Sequence, residues 1–160
     1  MILDLSGSKL KYLPSLVMLQ NLKELNLEKT SNLQHLPEEF GNLSSLCYLN
    51  LECSAIKCLP SSFVRLQNLK DLNLSGTISE ISNLQHLPEE FGRLSSLCEL
   101  NLYSSAIKCL PPSFGMLQNL EELVLTFSAI EFLPSSIGML QNLNTLKLGY
   151  TSNLQHLPEE

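Results

Sequence analysis

Leucine recurs along this chain in two registers. In Leu22-Lys-Glu-Leu25-Asn-Leu27 the last two leucines alternate with polar residues, the period-two pattern of a strand with one buried face. Glu24, Asn26 and Glu28 then fall on the opposite, open face. A second apolar run follows, Leu36-Pro-Glu-Glu-Phe40-Gly-Asn-Leu43. Its proline suits the first turn of a helix, and Glu38 and Glu39 complement the positive end of that turn. The spacing therefore predicts one turn of 3₁₀ or a short α-helix. The couplet repeats. Aligned on its first leucine (Leu22, Leu46, Leu69, Leu97, Leu120, Leu143), it recurs at 24, 23, 28, 23 and 23 residues, and an earlier copy starts at Ile2-Leu3-Asp4-Leu5. Phe40, Phe63, Phe91, Phe114 and Ile137 share one column and are expected to form an apolar spine behind the leucines. Residues 1–160 read as a single domain of about seven repeats, incomplete at both ends.

A period of 20–29 residues with this leucine pattern is identified as the leucine-rich repeat. The resemblance covers essentially the whole chain. It implies an α/β solenoid, or horseshoe, with parallel strands about 4.8 Å apart on the concave face. The 3₁₀ or short helical turns would line the convex face. At the ninth repeat position many members carry Asn, which bonds backbone inside the coil. Here the column reads Ser8, Thr30, Ser54, Thr77, Ser105, Ser128 and Thr151. Hydroxyls there are expected to serve the same buried backbone groups. An open solenoid presents a surface rather than enclosing a cleft.

The formal charge of −6 and pI of about 5.0 argue against a nucleic-acid partner. No segment approaches the ~18 apolar residues that a membrane span needs. The start, Met1-Ile2-Leu3-Asp4-Leu5, lacks the basic start and apolar run of a signal peptide, so a cytoplasmic location is expected. The five cysteines are Cys47, Cys53, Cys58, Cys98 and Cys109. The pairs that share a column lie two repeats apart, roughly 10 Å, beyond the ~7 Å between Cα atoms that a disulfide allows. That favours a reducing compartment. His35, His86 and His156 also share a column two repeats apart, too far for one metal ion with ligand distances near 2 Å. No phosphate-binding loop, nucleophile elbow or His-Glu-x-x-His helix is present. Catalytic residues, metal ligands and cofactors are therefore not expected, and the chain is not read as an enzyme.

Comparing the chain with itself points to a face. Residues 31–76 align without gaps to residues 82–127, and 34 of the 46 positions are identical. Positions three, five, seven and eight of the strand region should be concave. They are Tyr48, Asn50, Glu52, Cys53, Asp71, Asn73, Ser75 and Gly76 in one copy, and Glu99, Asn101, Tyr103, Ser104, Glu122, Val124, Thr126 and Phe127 in the other. Seven of these eight pairs differ, against five of the other 38. A two-repeat unit has been duplicated, and change has fallen mainly on the expected concave face. The candidate partner-binding residues are Glu24, Asn26, Glu28, Tyr48, Asn50, Glu52, Asp71 and Asn73, with Glu99, Asn101, Tyr103, Glu122, Phe127, Lys147 and Tyr150. The aromatics are of a type enriched at binding hot spots, and the Asn column offers hydrogen bonds. The acidic balance suits a protein or peptide ligand of basic character.

The block Leu72-Asn-Leu74-Ser-Gly-Thr77, followed by Asn83-Leu-Gln-His-Leu87-Pro88-Glu-Glu-Phe91-Gly92-Arg-Leu94, narrows the resemblance. So does Ser54-Ala-Ile56-Lys-Cys-Leu59-Pro60-Ser-Ser-Phe63 with its copy from Ser105. The chain resembles the repeat domain of plant intracellular nucleotide-binding leucine-rich-repeat immune receptors of the TIR type. In that family the repeats sense effectors or guarded host proteins and restrain a nucleotide-driven switch. This chain has no nucleotide-binding or signalling domain, so the resemblance implies the recognition role alone. The alternative is a scaffold or adaptor like the Ras-group leucine-rich proteins, which share Leu-Pro-x-x-[Phe/Ile]-Gly-x-Leu but usually carry Asn at position nine. Bacterial effector ligases also carry Leu-Pro repeats, of shorter period. The four extra residues of the 28-residue repeat fall between Thr77 and Asn83 and are expected to bulge at the rim without disturbing the strands. Leu3, Leu5, Leu10 and Leu13 at one end, and Leu146, Leu148, Leu154 and Leu157 at the other, are expected to be bare. End-to-end self-association, or a longer protein that covers them, is the expectation.

Overall fold

The computed structural model describes residues 1–14, 16, 18–76 and 84–158. Among them are seven strands of three residues each: β1 (Ile2–Asp4), β2 (Glu24–Asn26), β3 (Tyr48–Asn50), β4 (Asp71–Asn73), β5 (Glu99–Asn101), β6 (Glu122–Val124) and β7 (Thr145–Lys147). They form one parallel sheet in chain order, β1 to β7. Every pairing follows the repeat register, so Leu3, Leu25, Leu49, Leu72, Leu100, Leu123 and Leu146 lie side by side. The leucine-rich solenoid expected from the repeat is the fold observed. A short strand suffices because the chain passes through the sheet once per repeat. Its backbone ladder continues beyond the strand, as in Leu27 N–H to Asn50 C=O and Lys29 N–H to Glu52 C=O, both 2.8 Å.

The return limbs are 3₁₀ turns at Glu38–Asn42, Ser61–Arg65, Phe91–Arg93, Pro112–Met116 and Ser135–Met139. Four of them follow a proline held at φ −65° to −69°. The segment turns only once before the next leucine must re-enter the core, and such short pieces are the usual setting of 3₁₀ geometry. Glu38 does more than complement the turn. Its carboxylate accepts the Ser61 and Ser62 N–H groups and the Ser61 hydroxyl, at 3.2–3.3 Å. It thereby ties one coil to the next, and the Ser62 N–H holds its carboxyl below the usual range.

The core is a column of leucines with the phenylalanine spine behind it. Phe40, Phe63, Phe91 and Phe114 are fully buried. Phe40 stacks on Phe63 and Phe91 on Phe114, with centroids 6.1 and 6.2 Å apart. Ile137, in the same column, is only partly buried. Glycine follows the aromatic at Phe40, Phe91 and Phe114, where the turns stack closely, whereas Val64 follows Phe63. A β-carbon on Gly41 or Gly92 would collide with the carbonyl oxygen of Ser62 or Ser113 in the next coil.

The longest repeat leaves a mark between the second and third turns. A convex groove opens there, lined by Ser61, Val64, Arg65, Gln67, Glu90 and Arg93. The Gln67 side-chain amide spans the gap, donating to the carbonyls of Val64 and Arg93 at 2.8 Å. On the concave side β4 and β5 still pair in register. The extra residues themselves, with Thr77, Ser82 and Asn83, lie outside the described residues. At the first end, Leu3, Leu5, Leu10, Leu13 and Leu16 line an open apolar bowl with Tyr12 and Met18. At the other, Leu146 is 39% and Leu157 59% exposed.

Candidate functional site

The strand register assembles the candidate residues into columns across one face. Glu24, Tyr48, Asp71, Glu99 and Glu122 stand side by side. Next to them run Asn26, Asn50, Asn73, Asn101, Val124 and Lys147. Midway along, Tyr48, Asp71, Asn73, Glu99, Asn101 and Glu122 line a concavity of about 220 Å³. Asp71 is half-buried there. Burial, followed by the charge of Glu99, pushes its carboxyl above the usual carboxylate range. Burial, followed by the charge of Asp71, likewise raises the Tyr48 hydroxyl. Like charges on adjacent strands are destabilising, and the same column holds Tyr48 and Thr145 elsewhere. The fold therefore has no need of acid at these places. Not all the acids are free. Glu122 pairs with Lys147 and Glu28 with Lys29, each at 2.6 Å, and Glu52 accepts the Asn73 side-chain amide at 3.3 Å.

The asparagine column has an internal duty that sequence reading missed. Oδ1 of Asn26, Asn50, Asn73 and Asn101 accepts the N–H two residues on, at 2.9–3.0 Å. Asp4 does the same for Ser6, which lowers its pKa. Each Oδ1 is thereby committed to holding a turn; the Asn73 amide already donates to Glu52 and Asn50 is buried, so the half-buried Asn26 and Asn101 are the ones placed to donate to a partner. That turn ends in a residue with positive φ in every repeat: Gly7, Lys29, Cys53, Gly76, Ser104, Phe127 and Tyr150, at 52–66°. Glycine takes this conformation freely, whereas a bulky side chain there is an outlier. The glycines at Gly7 and Gly76 were the only trace of it in the sequence. In the last two repeats the capping column reads Val124 and Lys147, so Phe127 and Tyr150 adopt positive φ without the asparagine contact.

Those two rings make the most exposed aromatic surface of the face. Phe127 and Tyr150 stack with centroids 4.6 Å apart and planes 4° from parallel. Tyr103 meets Phe127 edge-on at 5.6 Å. Tyr103 and Phe127 are each 45% exposed and Tyr150 78%. Tyr48, by contrast, sits apart in the acidic concavity.

The hydroxyl column behaves in two ways. Thr30 and Thr151 donate to the carbonyls of Leu27 and Leu148 at 2.7 Å, as expected. The buried Oγ atoms of Ser8, Ser54, Ser105 and Ser128 have no partner, so for the serines the expected bond is not made. Thr77 lies outside the described residues. His35 and Cys58 turn out to share one edge column, joined by an isolated backbone bridge between adjacent coils with Nδ1 and Sγ 3.8 Å apart; His86 and Cys109 form the same backbone bridge. All five cysteines are free. Among the described residues no group of three or more His, Cys, Asp or Glu could hold a metal, and no helix is long and apolar enough to cross a membrane.

Comparison with known proteins agrees with this geometry. Residues 20–77 match the leucine rich repeat family model. The probable disease resistance protein At1g15890 of Arabidopsis thaliana is 42% identical over 67 residues, covering 42% of this chain and 7% of that protein. Disease resistance protein RPS5 of the same plant is 35% identical over 91 residues, covering 54% and 10%. The chain thus spans a tenth or less of these relatives. Among solved structures, the leucine-rich repeat domain of the type III effector XopL superposes with a TM-score of 0.82 at 34% identity, covering 92% of this chain and 52% of that one. The plant peptide hormone receptor RGFR1 in complex with RGF2 gives 0.60 at 26% identity, covering 86% and 28%. The seven-stranded parallel sheet, its 3₁₀ return limbs and these likenesses make the chain a leucine-rich repeat solenoid whose repeats resemble those of plant disease resistance proteins.

Proposed function

We propose that this chain is a protein-recognition module that binds its partner on the concave face, and that it acts as the ligand-sensing repeat region of a plant intracellular immune receptor. One observation carries the reading. Of the twelve differences between the duplicated segments, seven lie in the concave columns, including Tyr48 against Glu99, Glu52 against Tyr103 and Gly76 against Phe127. The core leucines and the convex Gln-His and Glu-Glu pairs are unchanged. A scaffold copied whole and then altered mainly on one face is what selection for a new ligand produces. Likeness to disease resistance proteins supports the immune role, and likeness to a receptor solved with a peptide hormone supports a polypeptide ligand. The acids around Asp71 and Glu99 favour a partner of basic character. The module works in the cytoplasm, without catalysis of its own. The competing class is a scaffold or adaptor in intracellular signalling.

The test is affinity enrichment from plant cytosol with three forms of the protein: unaltered, Glu99→Tyr with Tyr103→Glu and Phe127→Gly, and His35→Ala with His86→Ala. The concave form should lose a partner that the histidine form keeps. Equal capture by all three would remove the concave face as the recognition surface. Partner capture that triggers no defence response in the parent plant would favour the adaptor. The apolar bowl and the exposed Leu146 and Leu157 also support end-to-end self-association, read by light scattering across a concentration series. A monodisperse monomer at high micromolar concentration refutes it.

A further inference from the structure

The aromatic ladder of Tyr103, Phe127 and Tyr150 is not required by the fold. Its last two members occupy a positive-φ column that accepts Gly, Lys, Cys or Ser in the other repeats, and in the earlier duplicate Tyr103 and Phe127 are matched by Glu52 and Gly76. Rings placed there are backbone outliers, are roughly half to four-fifths exposed, and are stacked into one continuous platform. Soluble proteins seldom leave such a surface bare. In the same repeats, on the strands that lead into these turns, lie Glu99 and Glu122 of the acidic concavity. Glu99 and Tyr103 are four residues apart, at most about 13 Å along the chain.

Resting on the recognition reading above, we propose that this platform receives a large apolar or aromatic side chain of an extended peptide. A lysine or arginine four to five residues away along that peptide enters the concavity between Asp71, Glu99 and Glu122. Charge complementarity selects this occupant. Among the described residues Asp71 and Glu99 have no cationic partner, and the Glu122 carboxylate pairs with exposed Lys147. An extended peptide matches the spacing, since both it and the strand advance about 3.3 Å per residue. Between the two anchors the Asn101 side-chain amide offers a hydrogen-bond donor to a peptide carbonyl that crosses it.

The probe is a phage-displayed library of random linear twelve-residue peptides, panned on the folded chain. Selected sequences should carry a basic residue four to five positions from an aromatic or large aliphatic one. A synthetic representative should bind at least tenfold more weakly to the Phe127→Gly, Tyr150→Gly double variant, and also to Asp71→Asn, Glu99→Gln. The second loss should shrink as salt is raised, because the charge contribution is screened. Glycine already occupies the Phe127 column at Gly7 and Gly76, so the double variant keeps the fold, which a thermal melt verifies. Binders that ignore the glycine pair but are lost on Tyr48→Ala or Asn50→Ala would overturn the platform and leave concave recognition standing. A library with no clone sensitive to any concave substitution would overturn both.

Discussion

The rings of Phe127 and Tyr150 lie parallel with centroids 4.6 Å apart, and both residues hold positive φ, at 59° and 57°. Two opposing effects meet here. A bulky residue in the left-handed region is strained by about 1–2 kcal/mol, and a favourable aromatic pair returns about 0.5–1.5 kcal/mol. Phe127→Gly should therefore leave stability within about 1 kcal/mol of the parent, by urea titration, although an aromatic side chain is removed. Phe127→Val puts a β-branched residue at positive φ and forfeits the stack, and should be clearly less stable than Phe127→Gly. If the glycine variant is the weaker of the two, the ring is a structural prop and the strain argument fails.

Asp71 links stability to pH. Its folded-state pKa is raised, first by burial and then by Glu99, so folding favours its protonated form. That contribution is fully present below the unfolded pKa, near 3.9, and is lost as pH rises through the folded value. Asp71→Asn should then melt higher than the parent at neutral pH, with the gap closing near pH 3. Glu38 has the opposite sign. Its folded pKa is lowered by the Ser62 N–H, so its contribution is present above the ordinary glutamate value and fades as pH falls through the folded one. Glu38→Gln should lower the melting temperature at pH 7 and matter less in acid. Parallel pH-dependent melts of both variants decide this, and a destabilised Asp71→Asn at pH 7 would refute the first half.

Ser105 has a buried hydroxyl with no partner, while Thr30 at the same repeat position donates to the Leu27 carbonyl at 2.7 Å. The β-branched side chain has fewer rotamers to lose and is held on that carbonyl. Ser105→Thr should add a bond to the Leu102 carbonyl and stabilise by about 1 kcal/mol. Chemical denaturation measures it, and an unchanged or lowered midpoint would mean the serine hydroxyl is already satisfied.

Gly92→Ala should be damaging for a surface turn. The added β-carbon meets the backbone oxygen of Ser113 and also Met116 in the following coil, and backbone cannot swing aside as a flexible side chain does. Overpacking of this kind costs about 1–3 kcal/mol. Gly138→Ala is the internal control, since nothing lies within 4 Å of its β-carbon position; helix-like φ makes it neutral to mildly stabilising. Equal behaviour of the two variants would contradict the stacked-coil geometry.

Much of this molecule is decided locally and repeated. The leucine period alone determines that each repeat buries Leu25-type and Phe40-type side chains, that Glu24, Tyr48, Asp71, Glu99 and Glu122 share a column, and that a proline-led turn brings the chain back. Each of these follows from a two-residue or one-turn periodicity within a single repeat, and so is readable without knowing the neighbours. What lies between repeats was not. The Glu38 clasp on Ser61 and Ser62, the stack of Phe127 on Tyr150 and the pairing of His35 with Cys58 all join residues 23 or 24 positions apart, and depend on the exact offset of one coil against the next. Asn101 looked like a ligand contact because its side chain lies on the open face; only the backbone path shows its Oδ1 turned back to the Tyr103 N–H. The positive φ of Phe127 likewise has no signature in that residue itself, because the turn is imposed by the ladder of backbone hydrogen bonds from the adjoining repeats, and the side chain must accept it.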